Sequence, residues 1–202
     1  YNYGILSLSS GFLPLEISDS RFNSCKKAIY LSKAESPLVI ENTVNIRSSD
    51  TLDNYTTTNY PYGIYLDNCN QFKVENNFLS SNNQFAGIVI KDAGSEINEV
   101  YRNTFKYCNN AIQAIGKNMD PSFPAHGLNI LCNRFEENPF DIFITPDLNG
   151  QLPPLSYGIA RFQGNSNNPA SNLFSDTVLS GYCEHTIKLY DDGNDGWHGD
   201  NF

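Results

Sequence analysis

The sequence is poor in positive charge and lacks long apolar runs, and each shortage excludes a class of partner. Among 202 residues, 13 Lys and Arg stand against 22 Asp and Glu, which gives a net charge of -9. Nucleic-acid phosphates and anionic lipid surfaces both require a basic footprint, so we expect neither as a partner. No run of about 18 apolar residues is present, so we expect no membrane insertion.

Neither the start of the sequence nor its cysteines match a familiar functional pattern. Its start, YNYGILSLSSGF, has no basic region before an apolar one, so it does not read as a signal peptide and we expect a piece of a longer protein. Five cysteines at irregular spacing match no metal signature. Their odd number leaves at least one thiol without a partner in the chain. Cys25 and Cys108 fall three repeats apart, roughly 14 Å at about 4.8 Å per repeat, which is beyond disulfide reach, so we expect both to be free.

Helix-forming residues are scarce, which favours β structure. Hydrophobic residues make up 40% of the chain and aromatic residues 13%, whereas charged residues make up only 17%. This composition is globular, and the low content of Lys, Glu and Ala argues against a helical bundle. A chain of this length predicts one principal β-rich domain.

Two short phrases alternate along the chain. The first joins a small residue to Ile and recurs with steps of 24, 35, 24, 24 and 30 residues, at Gly4, Ala28, Gly63, Gly87, Ala111 and Asp141. The second joins Asn to an aromatic or aliphatic residue two positions later, at Asn42, Asn76, Asn103, Asn133 and Asn172. The longer steps contain polar insertions at residues 45–61 and 116–127. A fixed period of this size is typical of repeat architectures.

The phrases predict an all-β fold, a right-handed parallel β-helix solenoid. Each phrase lies on a short β-like run, and alternation places one column of isoleucines on the inner side of successive strands. Coils about 4.8 Å apart would bury that column continuously. The predicted column consists of Ile29, Ile64, Ile88, Ile112 and Ile142.

The repeated asparagines predict architecture rather than chemistry. At a bend, Asn tolerates left-handed backbone geometry and its amide can bond the next coil, so Asn42, Asn76, Asn103 and Asn133 are expected to form a ladder. We expect the aromatic residues that follow, such as Phe78 and Phe105, to stack inside the coils.

Three stretches carry a family resemblance: NEVYRNTFKYCNNAIQAIGKN, HGLNILCNRFEENPFDIFI and GIARFQGNSNNPASNLFS. They resemble the pectin-lyase-like β-helix segments of large secreted or cell-surface proteins in Bacteroidota, many of them type IX secretion substrates. The resemblance implies residues 1–178 as the β-helix domain, a secreted or cell-surface location, and contact with the secretion machinery through the parent protein.

The end of the chain departs from the repeat. GYCEHTIKLYDDGNDGWHGDNF resembles the opening of a small β-sandwich module of the same bacteria, so residues 179–202 are expected to start a C-terminal β-sandwich-like module. Its oxygen-bearing side chains could ligate calcium, the one cofactor considered for this chain. The alternative is a Gly- and Asp-rich turn, because the spacing fails the EF-hand pattern. The candidate ligands are Asp191, Asp192, Asn194, Asp195 and Asp200.

Candidate sites lie on the outward side of the first-phrase strands. Alternation predicts one outward column of Tyr30, Tyr65, Val89, Gln113 and Phe143, and a second of Ser32, Asp67, Lys91, Ile115 and Thr145. The weak catalytic candidates are Asp67, Lys91 and Asp92, for which a surface ion pair is the preferred interpretation. The exposed aromatics could instead stack on sugar rings. Those substrate-binding candidates are Tyr30, Tyr65, Phe143, Tyr60 and Tyr62.

Two functions therefore remain open. The leading hypothesis is a non-enzymatic module of an exported bacterial surface protein, serving as spacer, adhesin or carbohydrate-contacting surface with a polysaccharide or cell-surface partner. The alternative is a polysaccharide lyase or glycoside hydrolase, which would draw further carboxylates from the insertions. Those acids are Asp50, Asp53, Asp120 and Asp147.

Overall fold

The structure is a computed structural model that describes residues 3–8, 14–47, 60–82, 85–146, 158–165 and 168–175. Within these ranges every regular element is a β-strand. No helix in the described ranges has the length and hydropathy needed to cross a bilayer. The predicted all-β class is therefore confirmed, whereas residues 179–202, with their predicted module and calcium ligands, lie outside the described residues.

Successive strands form three parallel sheets that wrap around one core. The first sheet has six strands: β1 Tyr3–Leu8, β4 Lys27–Ser32, β7 Tyr62–Asp67, β10 Ala86–Lys91, β13 Asn110–Ile115 and β16 Phe140–Thr145. The second has five: β2 Glu16–Ser18, β5 Leu38–Ile40, β8 Lys73–Glu75, β11 Asn98–Tyr101 and β14 Leu128–Leu131. The third has five: β3 Arg21–Cys25, β6 Thr43–Ile46, β9 Phe78–Ser80, β12 Thr104–Lys106 and β15 Arg134–Glu136.

The strand order is that of a parallel β-helix. Each sheet takes every third strand, so the chain visits all three sheets before it returns one strand further along. Residues 158–165 and 168–175 continue the pattern through bridges to Lys117 and Arg134, and they include a short antiparallel pair, β17 Gly164–Asn165 and β18 Asn168–Pro169. The predicted solenoid is thus confirmed.

The core contains the predicted isoleucine column. Ile29, Ile64, Ile88 and Ile112 are fully buried, and Ile142 nearly so, and register pairs each with the next. Close packing favours a glycine before Ile88, because a Cβ on Gly87 would lie only 2.6 Å from the carbonyl oxygen of Ala111. The thiols of Cys25 and Cys108 are free, as expected from their positions.

The asparagine ladder exists, but one of its members was predicted wrongly. In the third coil the buried ladder residue is Asn77, not Asn76. Register pairs Thr43 with Phe78 and Val44 with Leu79, so Leu79 faces the core and Phe78 is 39% exposed. The observed ladder is Asn42, Asn77, Asn103, Asn133 and Asn172.

Left-handed geometry belongs to the residue before each ladder asparagine, and not to the asparagine itself. These residues have φ between 48° and 58°, and none is glycine. The positions are Asp19, before Ser20 of the first coil, and Glu41, Asn76, Arg102, Cys132 and Ser171. Asn76 therefore does adopt the left-handed conformation expected of it, while its neighbour makes the ladder bonds.

A half-buried carboxylate, Asp141, lies near the start of β16. Asp141 occupies the column of small residues and accepts hydrogen bonds from the backbone N–H and hydroxyl of Ser175, at 2.7 and 2.8 Å, and from the amide of Asn138. Burial raises the pKa of Asp141 despite these donors. The folded state therefore holds this proton more tightly than the unfolded chain does.

The raised pKa of Asp141 makes stability depend on pH with a defined sign. The stabilisation from proton uptake is fully present below the unfolded pKa, and it is lost as pH rises through the folded pKa. Asp141→Asn removes this titration and retains an acceptor for Ser175. Its urea midpoint relative to wild type should therefore increase from pH 3 to pH 7.

Glu136→Gln is the matched control with the opposite sign. The hydrogen bond from Lys106 lowers the pKa of Glu136, so its contribution is present at neutral pH and lost as pH falls through the folded pKa. The relative midpoint of Glu136→Gln should therefore decrease from pH 3 to pH 7. Parallel pH profiles for the two variants would contradict the assignment of Asp141.

Candidate functional site

The outer face of the six-stranded sheet carries a groove of about 630 Å³. Register confirms the two predicted outward columns: Tyr30 pairs with Tyr65, Tyr65 with Val89, and Asp67 with Lys91. The groove is lined by Tyr3, Lys27, Tyr30, Tyr60, Tyr62, Tyr65, Asp67, Val89, Lys91, Asn110, Gln113 and Ile115. Aromatic rings and a few polar groups thus meet on one concave surface, as in small-molecule sites.

Tyrosines form one wall of the groove. The ring centroids of Tyr30 and Tyr65 lie 5.3 Å apart with planes tilted by 37°, and Tyr62 meets Tyr65 edge-on at 5.0 Å. Tyr62 is only 5% exposed, so it supports Tyr65 and does not offer a ring face of its own. Tyr30 and Tyr65 are half-buried and give the groove its aromatic surface.

Of the remaining two aromatic candidates, Tyr60 lies in the groove and Phe143 lies outside its lining. Tyr60 lines the groove and meets Phe85 edge-on at 6.2 Å. Phe143 continues the column of Tyr30 and Tyr65, but it packs against Phe140 and does not belong to the lining of this groove. Four of the five predicted aromatic residues therefore share one surface.

Asp67 is bound by groups other than the expected lysine. Its Oδ2 accepts a 2.9 Å hydrogen bond from the hydroxyl of Tyr30, and its Oδ1 accepts one of the same length from the amide of Asn68. The ion pairs among described residues include none between Asp67 and Lys91. The predicted surface ion pair is therefore wrong, because the nearby hydroxyl and amide take the carboxylate instead.

The hydrogen bond between Tyr30 and Asp67 persists across the physiological pH range. Burial, reinforced by this bond, raises the pKa of Tyr30 to about 12. Burial also raises the pKa of Tyr62 well above its ordinary value. Both phenols are therefore protonated at neutral pH, and Tyr30 remains a donor to Asp67.

The other weak catalytic candidates are separated by the end of β10. Lys91 faces the groove, whereas Asp92 lies in the following turn and accepts a 3.0 Å hydrogen bond from the N–H of Lys117. Asp120, one of the acids considered in the insertions, accepts from the N–H of Ser122 in its own loop. Asp50, Asp53 and Asp147 lie outside the described residues. Asp67 is thus the one carboxylate that the described residues contribute to the groove lining.

Metal binding finds no support in the described ranges, which contain no group of three or more His, Cys, Asp or Glu side chains suited to hold an ion. The predicted calcium ligands, Asp191, Asp192, Asn194, Asp195 and Asp200, lie beyond the last described residue, so the structure does not test them.

Sequence analysis missed three lining residues: Tyr3 and Lys27 at one end of the groove, and Asn110. Lys27 pairs in register with Tyr3 on one side and Tyr62 on the other, and its ammonium lies 5.1 and 5.7 Å from the centres of those two rings. The repeat could have predicted Lys27 and Tyr3, because the residues just before each small-Ile phrase pair in register as a third column. Lys27 is only 7% exposed, and thus brings a largely buried charge to this end of the groove.

Comparisons with known proteins address the fold. The profile for right handed β-helix regions matches residues 2–124, which is more than half of the chain. Searches of curated proteins and of solved structures found no significant match. The profile match and the coil-by-coil strand order agree, so this chain belongs to the right-handed β-helix family.

Proposed function

We propose that this chain is a non-enzymatic, carbohydrate-contacting module of an exported bacterial surface protein. The observation that carries the proposal is the pair of tilted rings, Tyr30 and Tyr65, at the wall of an open groove with polar groups beside them. Aromatic faces attract the apolar faces of sugar rings, and hydroxyl, amide and charged groups bond their edges.

The acidic net charge and the fold are consistent with this role. A chain of charge -9 is a poor ligand for nucleic acid or anionic lipid. The β-helix provides a regular frame on which side chains from successive coils line up at about 4.8 Å intervals. The secreted or cell-surface location and export by the type IX route in Bacteroidota belong to the proposal through the family resemblance, as does a role as spacer or adhesin.

An enzymatic function receives less support from the groove. Most glycoside hydrolases need two carboxyl groups about 5 to 9.5 Å apart. The described lining supplies one, Asp67, whose two oxygens already accept from Tyr30 and Asn68. A lyase needs a base beside a site that neutralises the charge of an acidic sugar. The register partner of Lys91 is instead a carboxylate, Asp67, which adds negative charge at that point.

The proposal predicts glycan binding that depends on Tyr65. Purified protein is screened on a glycan array and the best oligosaccharide is titrated by calorimetry. Tyr65→Ala should weaken binding about tenfold, as expected for the loss of an aromatic contact. Tyr101→Ala is the matched control, because this half-buried ring lies on β11 of another sheet, against Lys73 and Arg102.

Two results would contradict the proposal. Equal losses of affinity in Tyr65→Ala and Tyr101→Ala would assign the effect to general destabilisation of the β-helix. Release of new reducing ends or unsaturated sugars from polysaccharide, abolished by Asp67→Asn, would establish the enzymatic alternative.

A further inference from the structure

Asp67 and Lys91 stand side by side in the groove without pairing. They are direct register partners on β7 and β10, strands about 4.8 Å apart, and both side chains line the groove. Opposite charges on neighbouring strands ordinarily pair when nothing else binds them. Here the carboxylate is turned to Tyr30 and Asn68, which leaves the two charged groups as separate neighbours.

Asp67 retains capacity to accept further hydrogen bonds. An ionised carboxylate has about four lone-pair positions, and the hydroxyl of Tyr30 and the amide of Asn68 use one on each oxygen. The same two bonds fix the carboxylate relative to the ring of Tyr30. A ligand hydroxyl that enters the groove beside that ring thus meets a preoriented acceptor.

Lys91 supplies the complementary donor. Among the described residues its ammonium has no hydrogen bond or ion pair, although ion pairs elsewhere engage Lys73 and Lys106. Lys91 therefore brings three N–H donors to the lining of a groove whose neighbouring position is an acceptor. The groove presents an acceptor and a donor at adjacent positions next to an aromatic face.

This arrangement suits a pair of hydroxyls better than an acidic group at the same point. An anionic substituent bonded to Lys91 would lie about one strand spacing from the carboxylate of Asp67, and repulsion at that distance offsets part of its attraction to Lys91. A pair of neighbouring hydroxyls meets both groups without that penalty. One hydroxyl donates to Asp67, and the other accepts from Lys91.

We propose that Asp67 and Lys91 together bind adjacent hydroxyls of an uncharged sugar unit whose ring rests on Tyr30 and Tyr65. The inference rests on the proposed carbohydrate-contacting function and adds its ligand class, a neutral glycan. It also gives the two residues first considered as catalytic candidates a role in specificity.

Calorimetric titration with four tetrasaccharides tests the inference: β-1,4-linked glucose, mannose and N-acetylglucosamine, and α-1,4-linked galacturonic acid. At least one neutral probe should bind more tightly than tetragalacturonate. Asp67→Ala and Lys91→Met should each weaken that neutral probe about tenfold, the effect of one lost hydrogen bond to a charged group. The double variant should lose less than the product of the single losses, because both groups hold one sugar unit.

Two controls separate direct contact from indirect effects. Glu99→Ala removes a carboxylate on β11 of the second sheet, away from the groove lining, and should leave affinity unchanged. Lys73→Met removes a lysine on the second sheet and should leave affinity unchanged. If Glu99→Ala or Lys73→Met loses as much affinity as Asp67→Ala and Lys91→Met, the losses reflect a general effect on the β-helix and the direct contact is refuted.

The remaining outcomes distinguish failure of this inference from failure of the proposed carbohydrate-contacting function. Tighter binding of tetragalacturonate than of every neutral probe, abolished in Lys91→Met, would overturn the neutral class while sugar binding stands. If neutral binding is lost in Tyr65→Ala but unchanged in both Asp67→Ala and Lys91→Met, the role assigned to Asp67 and Lys91 is overturned while sugar binding stands. Absence of binding to all four probes, together with a blank glycan array, would overturn both proposals.

Discussion

Replacing Asn77 by alanine should lower the free energy of unfolding by about 3–5 kcal/mol, since it orphans two or more buried groups at about 1–3 kcal/mol each. The Oδ1 of Asn77 accepts from the backbone N–H and the amide of Asn42, at 2.9 and 3.0 Å. Its amide donates to the carbonyls of Val39 and Glu75 and to Asn103. Alanine supplies none of these contacts, and the site is 2% exposed, so water does not replace them.

The adjacent asparagine provides the control in the same dipeptide. Asn76 is exposed and contributes left-handed geometry, so Asn76→Ala should cost only about 1 kcal/mol of backbone strain. Urea denaturation followed by far-ultraviolet circular dichroism measures both variants. Equal midpoints for the two variants would show that the ladder does not stabilise the coils as the hydrogen bonds indicate.

Replacing Phe105 by alanine should cost about 3–5 kcal/mol, the range for deletion of a buried phenyl ring. Phe105 is fully buried and stacks on Phe135 at 5.3 Å with planes within 13°, and Phe135 stacks in turn on Phe174 at 5.5 Å. Removal of the first ring leaves a cavity and removes one contact of this aromatic column. The expected result is a large downward shift of the thermal midpoint and of the urea midpoint.

Phe78→Ala is the matched control, because Phe78 pairs in register with Thr104 and points outward. Its loss should cost less than about 1 kcal/mol, as for a substitution at a largely solvated site. A loss for Phe78→Ala as large as that for Phe105→Ala would contradict the observed register of β9. It would instead favour the inward orientation that the sequence pattern predicted.

The inner isoleucine column was predictable from the sequence because the same residue type recurs at a regular spacing. Isoleucine recurs at the corresponding position of five coils, and all five side chains are buried and aligned in register. The two columns of outward residues followed from alternation alone. Register in the first sheet agrees with that alternation from Tyr30 through Thr145.

The third coil shows where the pattern fails. The stretch ENNF offers two asparagines and one aromatic residue, and aligning it on Phe78 places Asn76 in the ladder. Leucine fills the core equally well, so the coil uses Leu79 inside and shifts the ladder to Asn77. Residue type could not decide between two adjacent asparagines, because the decision lies in the inter-strand hydrogen bonds.

The groove was predictable in part, for a different reason. Which side chains face outward follows from the period, whereas their partners depend on rotamers and on close neighbours. Asp67 and Lys91 were correctly placed side by side, but the hydroxyl of Tyr30 and the amide of Asn68 decide what Asp67 binds. The sequence pattern contains no signal for that preference.

The groove runs across the coils, and this direction gives it a mechanical consequence. Its lining comes from β1, β4, β7, β10 and β13, which belong to five successive coils. In a solenoid each coil touches only its neighbours, so fraying can travel along the rod one coil at a time. A ligand lying in the groove would clamp coils that do not touch one another and stiffen the rod along its axis. By thermodynamic reciprocity, tension that separates the coils would lower the affinity for the ligand. Ligand affinity and stretching of the β-helix along its axis are thereby coupled.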